Sequence, residues 1–382
     1  MFCRNMVDNI NEQRIRDEFA ELVEIDSLSF AERDMADCLK KKLLSMGFSV
    51  EEDNAGSHYN GNAGNVYGYL KGTLPGEPIL LSAHMDVVEP GIGRQAVFSG
   101  DGRITSARDT VLGADDAAGI VEILEGIRAV LENGLPHRDI EVLFPIGEEL
   151  YIKGTNVFDF EKIRARDAYV LDLSGKIGTA ALQAPSIISF QVTVRGKAAH
   201  AGFEPEKGIH AVALMSKAIG KIKQGHIDEK TTFNIGTVMG GVGTNIVPES
   251  CVCRGEVRSY VHTEALQCIE IMRDIFEKTL AGTGAEFDIQ TDVHMKAYKI
   301  DESDSVVRRF CEACAHMNIA CKLTCTFGGS DNNNFVEHGL HGIVLSCGMY
   351  QVHSTEEYAT VEDLRLGAVL VAELVSGGCT NI

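Results

Sequence analysis

Six acidic or imidazole side chains follow predicted strands or begin a predicted helix, and all are types that bind divalent metals. Carboxylate and imidazole groups suit zinc, cobalt or manganese, and one carboxylate can bridge two metals about 3.5 to 4 Å apart. Singly, a histidine or aspartate at a strand end is more often a cap or a surface residue. The set is informative because the ends of parallel strands meet at one edge of a sheet. The six residues are His84, Asp115, Glu148, Glu149, Asp172 and His353.

Two further features of this set concern neighbouring residues. Adjacent residues of a strand point to opposite faces, so we place Glu148 and Glu149 in the turn past their strand. There one carboxylate can hold metal while the other stays free to take a proton from water. The alternative is a pair of solvated glutamates. Asp86 lies two residues after His84, so it either accepts the second imidazole N–H and fixes the tautomer or simply caps the strand.

The elements that must position these residues alternate between strands and helices. Three largely apolar runs, PILLSAHMDVV, IEVLFPI and DAYVLDLSG, predict buried strands that end in the candidate ligands. The segment DDAAGIVEILEGIRAVLENG predicts a long amphipathic helix that opens at Asp115. This alternation predicts an α/β sheet with a site at one edge.

The middle of the chain has a different order of elements. Residues 185–296 read as βαββαβ, with the first helix over 206–222, and this order is typical of a ferredoxin-like sandwich that can fold alone. We therefore predict an inserted domain at 185–296, within an α/β domain formed by residues 1–184 and 297–382.

Composition excludes several classes of partner. A formal net charge of -20 disfavours binding to nucleic acid or to an anionic membrane. No apolar run approaches the roughly 20 residues of a spanning helix, and the polar start of the chain does not read as a signal peptide. Eleven cysteines without such a signal suit a reducing compartment, so we expect a cytoplasmic protein.

Four of the cysteines form a C-x2-C-x6-C-x3-C array that could be taken for a zinc site. The first two lie in a helical pattern and the last two in an alternating one, so packing also explains them. We favour packing for this array, which consists of Cys311, Cys314, Cys321 and Cys325.

Taken together, the motifs resemble the di-zinc metallopeptidase family that includes peptidase T, glutamate carboxypeptidase and succinyl-diaminopimelate desuccinylase. The resemblance covers nearly the whole chain and looks closest to the peptidase T-like branch. It implies an α/β catalytic domain with a central mixed sheet flanked by helices, and an inserted ferredoxin-like α+β domain that serves as dimerisation domain and lid. The motifs are SAHMDVV, LGADDAAGI, PIGEELYIKG, GKAAHAGFEPEKGIHA, GGVGTNIVPE, GEVRS, GGSDNNNF and VHSTEE.

The resemblance also implies roles for the candidate ligands. His84 and Asp172 would hold one zinc, Glu149 and His353 the other, and Asp115 would bridge the two. Cobalt or manganese could substitute for zinc. Glu148 would be the general base that activates the water between the metals, and Asp86 is expected to be a further catalytic residue. A cis peptide bond is implied after Asp115.

Three residues of the inserted domain receive roles from the resemblance alone. His200 would cross to the active site of the partner in a homodimer and stabilise the tetrahedral oxyanion, and Asn245 and Arg258 would help to hold the substrate. Judged only by their surroundings in the sequence, His200 is an ordinary loop histidine and Arg258 a surface residue that forms a salt bridge.

The expected activity is hydrolysis of short peptides, most specifically release of the N-terminal residue of a tripeptide. A carboxypeptidase or an N-acyl amino acid amidohydrolase is the alternative enzyme, and an inactive relative that binds peptide or metal is the alternative outside catalysis. One departure from the family is Ala117, where lysine is usual. This difference leaves every expected ligand intact. It changes the charge beside the bridging aspartate, so we expect it to affect the choice of substrate rather than catalysis.

Overall fold

The computed structural model describes residues 10–376, and the chain divides into two compact units. The first unit is formed by the chain up to residue 183, by residues 299–325 and by residues from 330 onward. The second unit consists of residues 184–298 with 326–329. The short return of 326–329 has a local reason, since a Cβ atom on Gly329 would overlap the Met295 side chain.

Eight α-helices lie within residues 10–376. Four short 3-10 helices accompany them, at Ala55–Tyr59, Thr155–Val157, Phe160–Lys162 and Pro205–Lys207. The α-helices are α1 Glu12–Glu24, α2 Arg33–Ser45, α3 Ala114–Glu132, α4 Ala211–Ile219, α5 His262–Leu280, α6 Ser305–His316, α7 Asn332–Glu337 and α8 Val361–Ser376.

The strands form three sheets. The first unit holds the largest sheet and a small one, and the second unit holds a sheet of its own. In chain order the strands are β1 Ser49–Glu52, β2 Val66–Leu70, β3 Ile79–Ser82, β4 Ala96–Phe98, β5 Arg103–Ser106, β6 Ile140–Phe144, β7 Asp167–Leu173, β8 Thr179–Ala184, β9 Ser186–Arg195, β10 Gly225–His226, β11 Thr231–Gly240, β12 Ser250–Ser259, β13 Glu286–Met295, β14 Tyr298–Lys299, β15 Lys322–Cys325, β16 His341–Ser346, β17 Met349–Tyr350 and β18 Tyr358–Thr360.

The largest sheet is mixed, with a parallel centre. Its order is β1-β2-β6-β3-β7-β16-β8-β14, and β15 pairs with β8. Strands β6, β3, β7 and β16 run parallel to one another, so their carboxyl ends leave the sheet at the same edge. These strands are apolar and buried on both faces, as expected for parallel strands covered by helices. The predicted α/β architecture is confirmed.

The helix α3 is buried along nearly its whole length rather than on one face, which differs from the amphipathic helix predicted. The reason is that α1, α8 and β7 all contact it. The approach of α8 is close, because a Cβ atom on Gly126 would lie 2.6 Å from the Ala368 carbonyl oxygen. The regular helix starts after Asp116, since Asp115 and Asp116 have non-helical backbone angles.

The second unit has the sheet order β10-β11-β12-β9-β13, and its pairs are antiparallel. Helices α4 and α5 pack on this sheet around a shared apolar core. This is the predicted ferredoxin-like arrangement. The first helix of this unit is shorter than predicted, because residue 209 pairs with residue 197 as a bridge and the His210 side chain caps the helix that starts at Ala211.

The small sheet of the first unit has the order β17-β18-β5-β4.

No helix within residues 10–376 combines the length and the apolar character needed to cross a membrane.

Candidate metal centre

The first candidate ligand, His84, lies in the loop after β3 and is 2% exposed. The strand was predicted to continue through His84 and Asp86, but its pairing with β6 and β7 ends at Ser82. The His84 Nε2 atom lies 3.0 Å from Asp115 Oδ1, although the two residues are 31 positions apart. The loop therefore directs the imidazole towards the start of α3.

Asp86 contacts the second imidazole nitrogen of His84 and also makes contacts that the sequence did not indicate. The His84 Nδ1 atom lies 2.9 Å from the backbone oxygen of Asp86 and 3.4 Å from its carboxylate. That carboxylate also accepts hydrogen bonds from the backbone N–H groups of Glu148 (2.9 Å) and Glu149 (3.2 Å) and from the Ser29 hydroxyl (2.6 Å). Asp86 thus ties the loop of His84 to the loop of the two glutamates.

The electrostatics of Asp86 agree with this anchoring role. Burial works to raise the pKa of Asp86, but the hydrogen bonds and charge of His84 outweigh it and hold the pKa below its ordinary value. An ionised carboxylate accepts only, which suits a side chain surrounded by donors.

The carboxylate of Asp115 stands between two histidines. Its Oδ1 atom faces His84, and its Oδ2 atom lies 3.3 Å from His353 Nε2. The same His353 nitrogen lies 3.0 Å from Glu149 Oε1. Burial would raise the pKa of Asp115, but the hydrogen bonds to His353 and His84 outweigh it and lower the pKa. The hydrogen bonds from Asp115 and Glu149 raise the pKa of His353 to about 10.

Glu148 and Asp172 complete the set around His84. Ligand atoms of His84, Glu148 and Asp172 lie within 4.8 Å of one another, and so do those of His84, Asp115 and Glu149. Burial, followed by the charge of Asp172, raises the pKa of Glu148 well above its usual value. Burial and the charge of Asp115 do the same to Asp172. The structure therefore brings all six candidate ligands together in the first unit.

This donor set fits a pair of divalent metals. It consists of carboxylates and imidazoles without thiols, which suits zinc, cobalt or manganese rather than softer ions. Burial, together with neighbouring negative charges, raises the pKa of Glu148, Glu149 and Asp172, and a divalent cation would relieve the repulsion among these carboxylates. The two oxygens of Asp115 contact two different histidines, which suits a bridging ligand. A cis peptide bond joins Asp115 to Asp116, as the resemblance implied.

Two buried glutamates that sequence reasoning missed hold the backbone of this centre. Glu357 accepts hydrogen bonds from the backbone N–H groups of Gly113 (2.8 Å) and Asp115 (3.0 Å). Glu32 accepts from the N–H groups of Phe30 (2.8 Å) and Gly147 (2.9 Å). The only sequence signal for Glu357 was its place in the VHSTEE motif, and nothing local distinguished Glu32.

Replacing Glu357 by glutamine should destabilise the protein by about 1 to 3 kcal/mol, because the amide would turn a donor towards one of the two buried N–H groups. Glu356 is its exposed neighbour, so Glu356→Gln is the matched control. Denaturant unfolding of both variants measures the difference. Equal free energies of unfolding for the two variants would show that the contacts of Glu357 are unimportant.

The three remaining candidates belong to the second unit. His200 Nδ1 accepts hydrogen bonds from the N–H groups of Gly202 (3.1 Å) and Phe203 (3.2 Å), which leaves its Nε2 outside these contacts. The loop of Asn245 runs beside it, since the Asn245 carbonyl accepts a hydrogen bond from the residue after His200. Arg258 forms a salt bridge to Glu256 at 2.8 Å, in line with the alternative interpretation of this residue.

Arg258 also donates a hydrogen bond to the Phe327 carbonyl oxygen at 2.9 Å. That contact joins β12 to the short return segment of the second unit.

An α/β unit with a cluster of metal-binding side chains at its strand ends, together with a ferredoxin-like unit inserted in the chain, is the arrangement of a two-unit metallohydrolase. Comparison with known proteins makes the class specific. Residues 183–283 match the family described as Peptidase dimerisation domain, and residues 65–191 match Peptidase family M28.

Three relatives span nearly the whole chain. The uncharacterised protein YqjE of Bacillus subtilis is 36% identical over 366 residues, which is 96% of this chain and 98% of YqjE. A tripeptidase of Staphylococcus aureus has a structure with a TM-score of 0.93 and 32% identity, over 96% of this chain and 98% of its own. The structure of the aminopeptidase PepT of Bacillus cereus has a TM-score of 0.90 and 36% identity, over 96% of this chain and 99% of its own.

The chain therefore belongs to the M20 family of metallopeptidases, in the branch that contains peptidase T. The resemblance seen in the sequence motifs is confirmed.

Proposed function

We propose that the protein is an aminopeptidase that depends on divalent metal and releases the N-terminal residue of tripeptides. The observation that carries this proposal is the Asp115 carboxylate, whose two oxygens face His84 and His353. The likeness to a tripeptidase and to PepT above 30% identity favours this activity over a carboxypeptidase, an N-acyl amino acid amidohydrolase or an inactive binding protein.

The proposed cofactor is two zinc ions per subunit, with cobalt or manganese as substitutes. His84 and Asp172 would hold one ion, Glu149 and His353 the other, and Asp115 both. When bound there, the ions would polarise the scissile carbonyl and lower the pKa of a water molecule towards neutrality.

Glu148 is the proposed general base. Its carboxyl group is buried beside the ligands, and its raised pKa suits a group that takes a proton from the attacking water and returns it to the leaving amine. The hydrogen bond from the Glu148 backbone N–H to Asp86 holds the loop that carries this side chain. Asp86 thus orients the proposed base through the backbone of Glu148, and its contact with the imidazole orients the ligand His84.

The activity is tested by digesting a mixed library of di-, tri- and tetrapeptides with the metal-reconstituted protein and identifying the products by mass spectrometry. We expect tripeptides to lose their first residue. Release of the last residue, or cleavage of N-acyl amino acids alone, would favour the alternatives. No hydrolysis with zinc, cobalt or manganese would favour an inactive binding protein.

We also propose that the protein is a homodimer formed through the second unit, supported by the match of residues 183–283 to a peptidase dimerisation domain. In this proposal His200 acts on the active site of the partner subunit, and Asn245 and Arg258 contact the substrate. A cytoplasmic location is proposed as well, supported by nine free cysteines within residues 10–376.

Mixing two inactive variants, Glu148→Ala and His200→Ala, should restore part of the activity. A hybrid dimer would then contain one site with both an intact Glu148 and an intact His200. Turnover of a tripeptide by the mixture, compared with each variant alone, is the measurement. Subunit exchange is shown separately with a tagged variant, and exchange without recovered activity would argue against a role in trans.

A further inference from the structure

We propose that Cys311 and Cys321 form a modification site. A small-molecule disulfide, such as oxidised glutathione, oxidises the two thiols to an intramolecular disulfide. This site lies outside the metal centre, in the part of the first unit built from α6 and β15. It is separate from the peptidase activity and does not depend on it.

The first observation is the position of the two sulfur atoms. Cys311 Sγ and Cys321 Sγ lie 2.7 Å apart, although the two residues are ten positions apart in the sequence. Two cysteines can be bridged without backbone movement only when their side chains already point at each other. Cys321 is exposed and Cys311 is half-buried, so a reagent can reach the pair.

The second observation is that the backbone on both sides of Cys321 is fixed. The N–H of Ile319 donates to the Cys314 carbonyl oxygen at 3.0 Å, which turns the chain back along α6. The N–H of Lys322 donates to the Gly178 carbonyl oxygen at 2.8 Å, where β15 begins to pair with β8. The contact between the sulfur atoms is therefore set by a helix end and a strand start.

A zinc site formed by the cysteine array is not supported. Cys314 is buried in the core and Cys325 Sγ lies 3.5 Å from Gln183 Oε1. Within residues 10–376, no group of three metal-binding side chains includes any of these thiols. The geometry favours a pair of sulfur atoms over a metal site.

The proposed reaction is two thiol–disulfide exchanges. The Cys321 thiolate attacks one sulfur of the reagent, forms a mixed disulfide and releases one thiol; the Cys311 thiolate then displaces the second thiol. The protein loses two hydrogens and two electrons, and the reagent gains them as two thiols. Burial raises the pKa of the Cys311 thiol to about 12, so the exchange is slow near neutral pH and proceeds better in mildly alkaline buffer.

The test uses the sequence around the pair. Trypsin cleaves after Arg309 and Lys322, which places Cys311, Cys314 and Cys321 in one peptide. A glutamate-specific protease cleaves after Glu312, between the first two of these cysteines. The full-length protein is treated with oxidised glutathione, its free thiols are alkylated, and it is then digested with both proteases.

We expect the two fragments to stay linked and to carry one alkyl group, on Cys314. Their mass should be about 2 Da lower than the summed mass of the two reduced fragments with the same single alkyl group. Three alkyl groups on separate fragments would overturn the proposal. Separate fragments with the alkyl group on Cys311 would overturn it too, because the disulfide would then join Cys314 and Cys321.

Two variants serve as controls. Cys325→Ser changes an exposed thiol at the end of β15, four residues after Cys321, and should oxidise as the wild type does. Cys321→Ser should leave both remaining cysteines of the peptide alkylated. Loss of the disulfide in Cys325→Ser would show that a different pair reacts, and would overturn the proposal.

Discussion

Replacing Glu148 by glutamine should lower kcat by about a hundred- to ten-thousandfold while two metal ions remain bound, because a general base typically contributes that factor. The amide keeps the size of the side chain and cannot accept the proton. The backbone hydrogen bond to Asp86 is unaffected, so the loop should keep its position. Steady-state turnover of a tripeptide and metal analysis of the same sample measure both effects.

The structure makes the metal analysis decisive. Glu148 lies within 4.8 Å of His84 and Asp172, so it could itself be a ligand rather than the base. A metal content that falls to one ion per subunit would assign Glu148 as a ligand. Glu161→Gln, an exposed substitution in the same unit, is the control and should change neither quantity.

Replacing Asp115 by asparagine should remove most of the stabilisation of the fold by zinc. A metal present at a hundred times its dissociation constant stabilises the native state by about 2.7 kcal/mol. Asparagine offers a single neutral oxygen to a bridging position, and we expect affinity to fall by about a hundredfold or more. At the same zinc concentration the stabilisation would then be about 0.4 kcal/mol or less.

Denaturant unfolding of chelator-treated protein, with and without added zinc, measures this difference. The control is Asp109→Asn, an exposed aspartate in the loop before α3, which should respond to zinc as the wild type does. The hydrogen bond from the backbone of residue 115 to Glu357 survives the substitution, so the metal-free variant should remain folded. An undiminished zinc response in Asp115→Asn would rule out the bridge.

The sequence alone was sufficient for features that depend on residue type and local periodicity. The apolar runs before His84, Glu148 and Asp172 predicted buried strands, and parallel strands bring their ends to one edge whatever the details of packing. The βαββαβ order of the middle segment predicted its sheet topology, because this order of elements is typical of a ferredoxin-like sandwich. Each strand or helix in these patterns is recognised from its own local sequence.

The bonding of Asp86 and Glu357 was decided by the tertiary structure. Asp86 and Glu148 are 62 positions apart, and Asp115 and Glu357 are 242 apart. Whether a carboxylate meets an imidazole, a backbone N–H or solvent depends on where each strand stops pairing. The residue at which a strand stops pairing is set by its neighbouring strands. For β3 this residue is Ser82, and the sequence run that continues past it did not reveal the end of the strand.

For this protein, the sequence by itself determined the kind of chemistry, because six metal-binding side chains at element ends are a matter of residue type and spacing. The tertiary structure alone decided which atoms meet. It placed the two oxygens of Asp115 between two histidines and gave the glutamate loop its anchor on Asp86. The physical reason is that these contacts join residues whose proximity exists only after the strands have paired.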